Sequence, residues 1–170
     1  MVASIAAHVL SLANPILLAA NVIIGFSLFA YVFAHNVRSP VARAFCALIL
    51  LVTVVYLVDL GMDRVSSAEA AQLWLRIQWV GIAMVPAAYL HFSETVLRTT
   101  GVASRWRTAG IVGSYLLGAT ALGLALFTDL IVYGIGQMAD IYHLLPGPLF
   151  WAFALYYGLV SAFGWSNILR

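Results

Sequence analysis

Long apolar stretches, each closed by a short polar or charged segment, run the length of this chain. Five of them reach the length of a membrane crossing: residues 15–34, 44–62, 71–97, 108–127 and 148–167. A helix rises about 1.5 Å per residue, so about 20 residues traverse a hydrocarbon core roughly 30 Å thick. Lipid offers no partner for backbone polar groups, so such segments satisfy them internally as helices. The pattern predicts an all-α, polytopic transmembrane bundle of about five spans, forming a single domain with no soluble domain attached.

Local punctuation agrees with these limits. Asn14-Pro15 reads as an N-cap and first-turn proline for the first span. Ser39-Pro40 breaks the chain before the second, and Pro146-Gly147-Pro148 opens the fifth. Pro86 differs, because it falls inside the third span and removes a backbone hydrogen bond there, which predicts a kink. Residues 1–13 read as a short interfacial helix with His8 near the headgroups. The stretch 128–147 is long for a structureless loop and should lie on the membrane surface or fold over the bundle.

The arginines orient the bundle. Arg38 and Arg43 lie between spans one and two, Arg98, Arg105 and Arg107 between three and four, and Arg170 after five. Alternating spans put all six on one side, and only Arg64 occupies a loop on the other. The positive-inside rule makes the six-arginine side cytoplasmic, with the N-terminus outside and the C-terminus inside. A multi-pass place in a membrane facing the cytoplasm is the expected location.

Composition agrees with lipid as the solvent. Of 170 residues, 64% are hydrophobic and only 8% charged. Ordinary soluble domains are about 25% charged, so a water-facing surface cannot be built from this set. Lysine is absent, and a net charge of +2 gives no support for nucleic acid binding. Cys46 is the sole cysteine and lies within an apolar run, where it reads as a small buried hydrophobe.

Ionisable residues within spans are costly and are the default functional candidates. Asp59 and Arg76 lie near the outer ends of spans two and three, at similar depth, and predict an ion pair. Such a pair either fixes how the two helices pack or responds to a ligand. Trp74 and Trp79 flank Arg76 as expected interface anchors. His91 and Glu94, three apart near the inner end of span three, share a helical face. They read as a proton-relay or metal-ligand fragment, or simply as a snorkelling interfacial pair. His8, His35 and His143 fall outside the span interiors, so no haem or other cofactor is expected. Gly110, Ser114 and Gly118 recur every fourth residue on span four and allow a close helix approach, within the chain or to a partner subunit. No P-loop, H-E-x-x-H motif, cysteine pair or nucleophile elbow is present, so no catalytic activity is expected.

Two segments resemble a known family. Ala70-Ala71-Gln72-Leu73-Trp74-Leu75-Arg76-Ile77 is followed by Gly81, Pro86 and Ala88-Tyr89-Leu90-His91-Phe92. Leu145-Pro146-Gly147-Pro148-Leu149-Phe150 then opens the fifth span. This order resembles the N-terminal seven-helix membrane region of bacterial sensor histidine kinases, over its first five spans. The resemblance implies a membrane sensory input module in which a stimulus shifts helix packing, with Asp59, Arg76, Trp79, Pro86, His91 and Glu94 as candidate ligand-binding or coupling residues. That family continues into two more spans, a dimerisation helix and an ATPase domain. Stopping at Arg170 reads as a cut in a longer chain or as a gene that retains the membrane part alone. The alternative is an accessory subunit of a larger respiratory or photosynthetic complex. Both readings expect the lipid bilayer and a protein partner, as a homodimer or a larger assembly.

Overall fold

The computed structural model describes residues 2–62, 64–101, 104–138 and 141–169. Five helices and one hairpin run along them: α1 Val2–Asn36, α2 Pro40–Met62, α3 Ala68–Arg98, α4 Arg105–Phe127, β1 Val132–Met138, β2 Ile141–Pro146 and α5 Phe150–Ile168. By length and composition, α1 from Ala13 onward, α2, α3 and α4 are apolar enough to cross a membrane. In α5 the residues Trp151, Tyr156, Tyr157, Trp165 and Asn167 dilute the hydropathy, although its 19 residues still reach about 28 Å. The all-α bundle expected from the apolar pattern is the architecture found.

α3 is the axis of the bundle. It packs against α2, α4, α5 and both hairpin strands, whereas α1 packs chiefly on α2. The sequence of α3 explains its position. Ala71, Gly81, Ala83, Ala87 and Ala88 are all buried, and these small side chains let neighbours approach closely. A Cβ at Gly81 would stand 2.6 Å from the Leu51 carbonyl oxygen of α2. On the opposite flank, a Cβ at Gly118 of α4 would stand 2.8 Å from the Ala83 carbonyl oxygen. Ser67 caps α3, its hydroxyl accepting from the Ala70 N–H at 3.3 Å.

Two expectations are corrected and a third takes a definite form. Asn14 and Pro15 open no helix, because α1 begins at Val2 and runs through them, absorbing the expected separate interfacial helix. The stretch after α4, expected on the membrane surface or folded over the bundle, is a hairpin: β1 and β2 pair antiparallel and pack against α3. The register shifts between Tyr133 and Ile135, where Gly134 takes a φ of +51°, a bulge that a side chain would resist. Asp140 and Arg170 lie outside the described residues. Finally, the ladder on α4 divides: Ser114 and Gly118 are buried, while Gly110 is exposed with no atom near its would-be Cβ. Each four-residue step turns a helix by about 40° beyond a full turn, so two steps carry Gly110 off the contact face.

The core under the hairpin comprises Trp79 and Ala83 of α3, Ala121 and Ala125 of α4, Ile131 and Val132, and Phe153 of α5. Gly147 and Leu149 donate backbone hydrogen bonds to Ile131 and Leu130, both at 2.8 Å, which ties the hairpin's base to the start of α5.

Candidate functional site

The polar groups of the bundle collect in two clusters, one at each end of α3. At the N-terminal end of α3, Arg76 donates from Nη2 to Asp129 Oδ1 at 2.8 Å and from Nη1 to the Leu126 carbonyl at 2.9 Å. Arg76 is thus a clamp on the end of α4 and the start of the hairpin. Its Nε is buried with no hydrogen-bond partner among the described residues. Asp59 instead accepts from Gln78 Nε2 at 2.5 Å, and Gln78 also reaches the Val55 carbonyl at 3.4 Å.

The expected Asp59–Arg76 pair is therefore replaced by two separate contacts. Arg76 and Gln78 are two residues apart, which on a helix is about 200° of rotation, so they face opposite neighbours. Gln78 meets α2 and Arg76 meets α4. Trp79 is no interface anchor either: it is buried, 5.0 Å from the Phe153 ring, within the core that seats the hairpin. Trp74 remains partly exposed, with its ring against Gly61.

The cluster at the C-terminal end of α3 is larger and more enclosed. Glu94 is the largest fully buried side chain, at 1% exposure. Its Oε2 accepts from Arg107 Nη1 at 3.0 Å, and the same Nη1 donates to Asn167 Oδ1 at 2.7 Å. Asn167 Nδ2 continues to Ser93 Oγ at 3.3 Å. Arg107 also lies 5.8 Å from the Phe163 ring centroid, in cation–π range. One guanidinium thus joins α3, α4 and α5. Glu94 Oε1 has no hydrogen bond among the described residues; the Arg98 Nε stands 3.5 Å away as a looser ionic neighbour.

His91 and Glu94 do not act together. His91 approaches the Tyr115 hydroxyl at 3.3 Å, while Glu94 turns toward Arg107. Glu94 also does not snorkel, because Arg107 meets it inside the bundle. Pro86 lies within α3 and is fully buried. Ser114 and Tyr156 bond across α4 and α5 at 3.0 Å, which gives the small-residue face an internal role. Among the described residues, no group of three His, Cys, Asp or Glu side chains could hold a metal ion.

Two apolar grooves flank α5. One of about 620 Å³ runs between α2, α3 and α5 past Leu48, Val85, Tyr89, Tyr157 and Trp165. The other, about 180 Å³, lies between α4 and α5 beside Phe153 and Tyr156. Arg76 lines neither.

Sequence reasoning missed Arg107, Asn167, Asp129 and Gln78 as site residues. Arg107 registered only as a positive-inside marker, and Asn167 as a helix end. A signal was available for Asn167: it is an uncharged polar residue inside an apolar helix, at the same depth as Glu94.

A helical bundle with its ionisable groups buried or clamped at the two ends of a central helix is a polytopic membrane protein built to hold helix ends in register. The model of the family described as the N-terminal 7TM region of histidine kinase matches residues 17–170. The chain belongs to that family, a membrane sensory region of signal-transduction proteins. No curated protein and no solved structure matches the chain.

Proposed function

We propose that this chain is the sensory input module of a histidine kinase system in a bacterial inner membrane, has no catalytic role of its own, and passes a change in helix packing to a cytoplasmic output. In this reading all five helices cross the bilayer, and the arginine-bearing ends face the cytoplasm. The hairpin end then faces outward. A homodimer or larger assembly would carry the output.

The observation that supports this most is the Glu94–Arg107–Asn167 cluster. Asn167 stands in the last turn of α5, on the cytoplasmic side in this orientation. Any stimulus that shifts α4 or α5 against α3 must keep or break a buried, charge-assisted network there. Such a network favours discrete arrangements over gradual drift, because a half-broken one leaves a buried charge unpaired. A ligand biases the module only if it binds one arrangement more tightly. The open groove between α2 and α5 gives α5 room to move.

The test joins the chain to a histidine kinase catalytic core and reads autophosphorylation in membranes. Arg107→Gln and Asn167→Ala should each change the basal level at equal expression, while Gly110→Ala should not. An unchanged basal level in both network variants refutes the reading.

A further inference from the structure

At the inner end of the bundle, beside the Glu94 cluster, lies a small open depression of about 230 Å³ lined by Arg98, Ser104, Arg105 and Thr108. We infer that it is a binding site for a phosphate-type anion, supplied by the headgroup of an anionic phospholipid.

Charge supports this first. Arg38, Arg43, Arg98, Arg105 and Arg107 share this end, and Glu94 is the one acidic residue in the segments around them. Glu94 already receives Arg107 at 3.0 Å and has Arg98 at 3.5 Å, so a single negative charge is divided between two guanidinium groups. Arg105 is exposed and has no ion pair or hydrogen bond among the described residues. The depression therefore holds uncompensated positive charge.

Geometry supports it second. Arg98 Nη2 donates to Thr108 Oγ1 at 2.6 Å, which fixes that guanidinium at the wall of the depression. The Ser104 hydroxyl is not spent on capping α4, and the first turn of α4 carries no acidic side chain. Thr108 spends its own O–H on the Ser104 carbonyl at 3.3 Å, so the donors left facing this depression are the two guanidinium groups and the Ser104 hydroxyl, a set that suits phosphate oxygens.

Position supports the lipid as the source. Trp106, next to Arg105, is 87% exposed, and a tryptophan there marks the headgroup level. Basic pockets between helix ends on the cytoplasmic side meet anionic headgroups at that depth. An occupying phosphate would also compete with Glu94 for Arg98. The inference rests on this end lying at the membrane surface and does not depend on the signalling reading.

The test measures binding of dioleoyl-phosphatidylglycerol and dioleoyl-phosphatidylcholine to the full chain by native mass spectrometry, with inorganic phosphate against chloride in a parallel thermal-unfolding series. Phosphatidylglycerol should bind preferentially, and Arg105→Gln should weaken it about fivefold. Arg38→Gln, at the same end but outside the depression, should leave it unchanged. Stabilisation by inorganic phosphate without lipid preference, lost in Arg105→Gln, would keep the anion site and reassign its source. No anion preference, or equal weakening by Arg38→Gln and Arg105→Gln, overturns the proposal, the latter by showing diffuse charge rather than a site.

Discussion

Arg107 of α4 and Glu94 of α3 form an ion pair at 3.0 Å in which the carboxylate is 1% exposed and the guanidinium side chain 15%. Burial makes this pair asymmetric. Forming it adds little against an apolar alternative, but removing one partner strands the other charge in a low-dielectric interior. Arg107→Ala should cost about 3 kcal/mol or more, read as a lowered unfolding midpoint in detergent. Combining it with Glu94→Gln should recover part of that loss, since no carboxylate is then left alone. Additive losses in the double variant would show that the pair is not the relevant contact.

Arg76 and Asp129 form the weaker counterpart at the other end of α3. Asp129 is 72% exposed, so water screens this pair, and a double-mutant cycle on Arg76→Gln and Asp129→Asn should give a coupling under about 1 kcal/mol. The same cycle between Arg76 and Asp59 should give none, because Asp59 bonds to Gln78. A clear Arg76–Asp59 coupling would contradict the observed faces of α3.

Gly118 and Gly110 should behave oppositely despite belonging to one sequence ladder. At Gly118 an added side chain meets the α3 backbone, so Gly118→Val should destabilise by about 1–3 kcal/mol. At Gly110 the space is open, and Gly110→Ala should be neutral or stabilising by about 0.5–1 kcal/mol through helix propensity. Unfolding midpoints of the two variants, measured side by side, decide it.

Trp79 seats the hairpin. Trp79→Ala should remove about 3–5 kcal/mol of packing and release the strands from the bundle. Amide hydrogen exchange over residues 132–146 should then accelerate more than exchange within α2. Equal protection of the hairpin in both forms would assign its stability elsewhere.

Topology is open to direct labelling. In a Cys46→Ser background, Arg105→Cys should react with an impermeant thiol reagent only from the cytoplasmic side, and Tyr133→Cys only from outside. Labelling of both from one side would show that α4 does not cross, and labelling with the two sides exchanged would invert the orientation and remove the basis of the anion site.

How much of this was readable beforehand follows a physical line. Apolar runs identified the helices, since a segment in lipid must be long, apolar and internally hydrogen-bonded whatever it touches. The order Trp74, Arg76, Gly81, Pro86, His91 pointed to the family that the match over residues 17–170 establishes. The hairpin was overlooked although Val132, Tyr133 and Ile135 face a second β-rich run at Ile141 and Tyr142. A search tuned to long apolar windows passes over seven-residue strands.

Pairing was the harder question. Depth along a span can be counted from its ends, and that put Asp59 and Arg76 at one level. Which way each side chain points depends on how the helix is rotated against its neighbours, and small residues such as Gly81 and Gly118 govern that rotation. The sequence alone determined that the chain lives in a membrane, how many helices it forms, and which ends collect positive charge, because those properties need only the local contest between lipid and water. Only the tertiary structure decided that Arg76 clamps Asp129, that Gln78 takes Asp59, and that Arg107 draws Glu94 and Asn167 together, because each choice depends on packing between segments far apart in the chain.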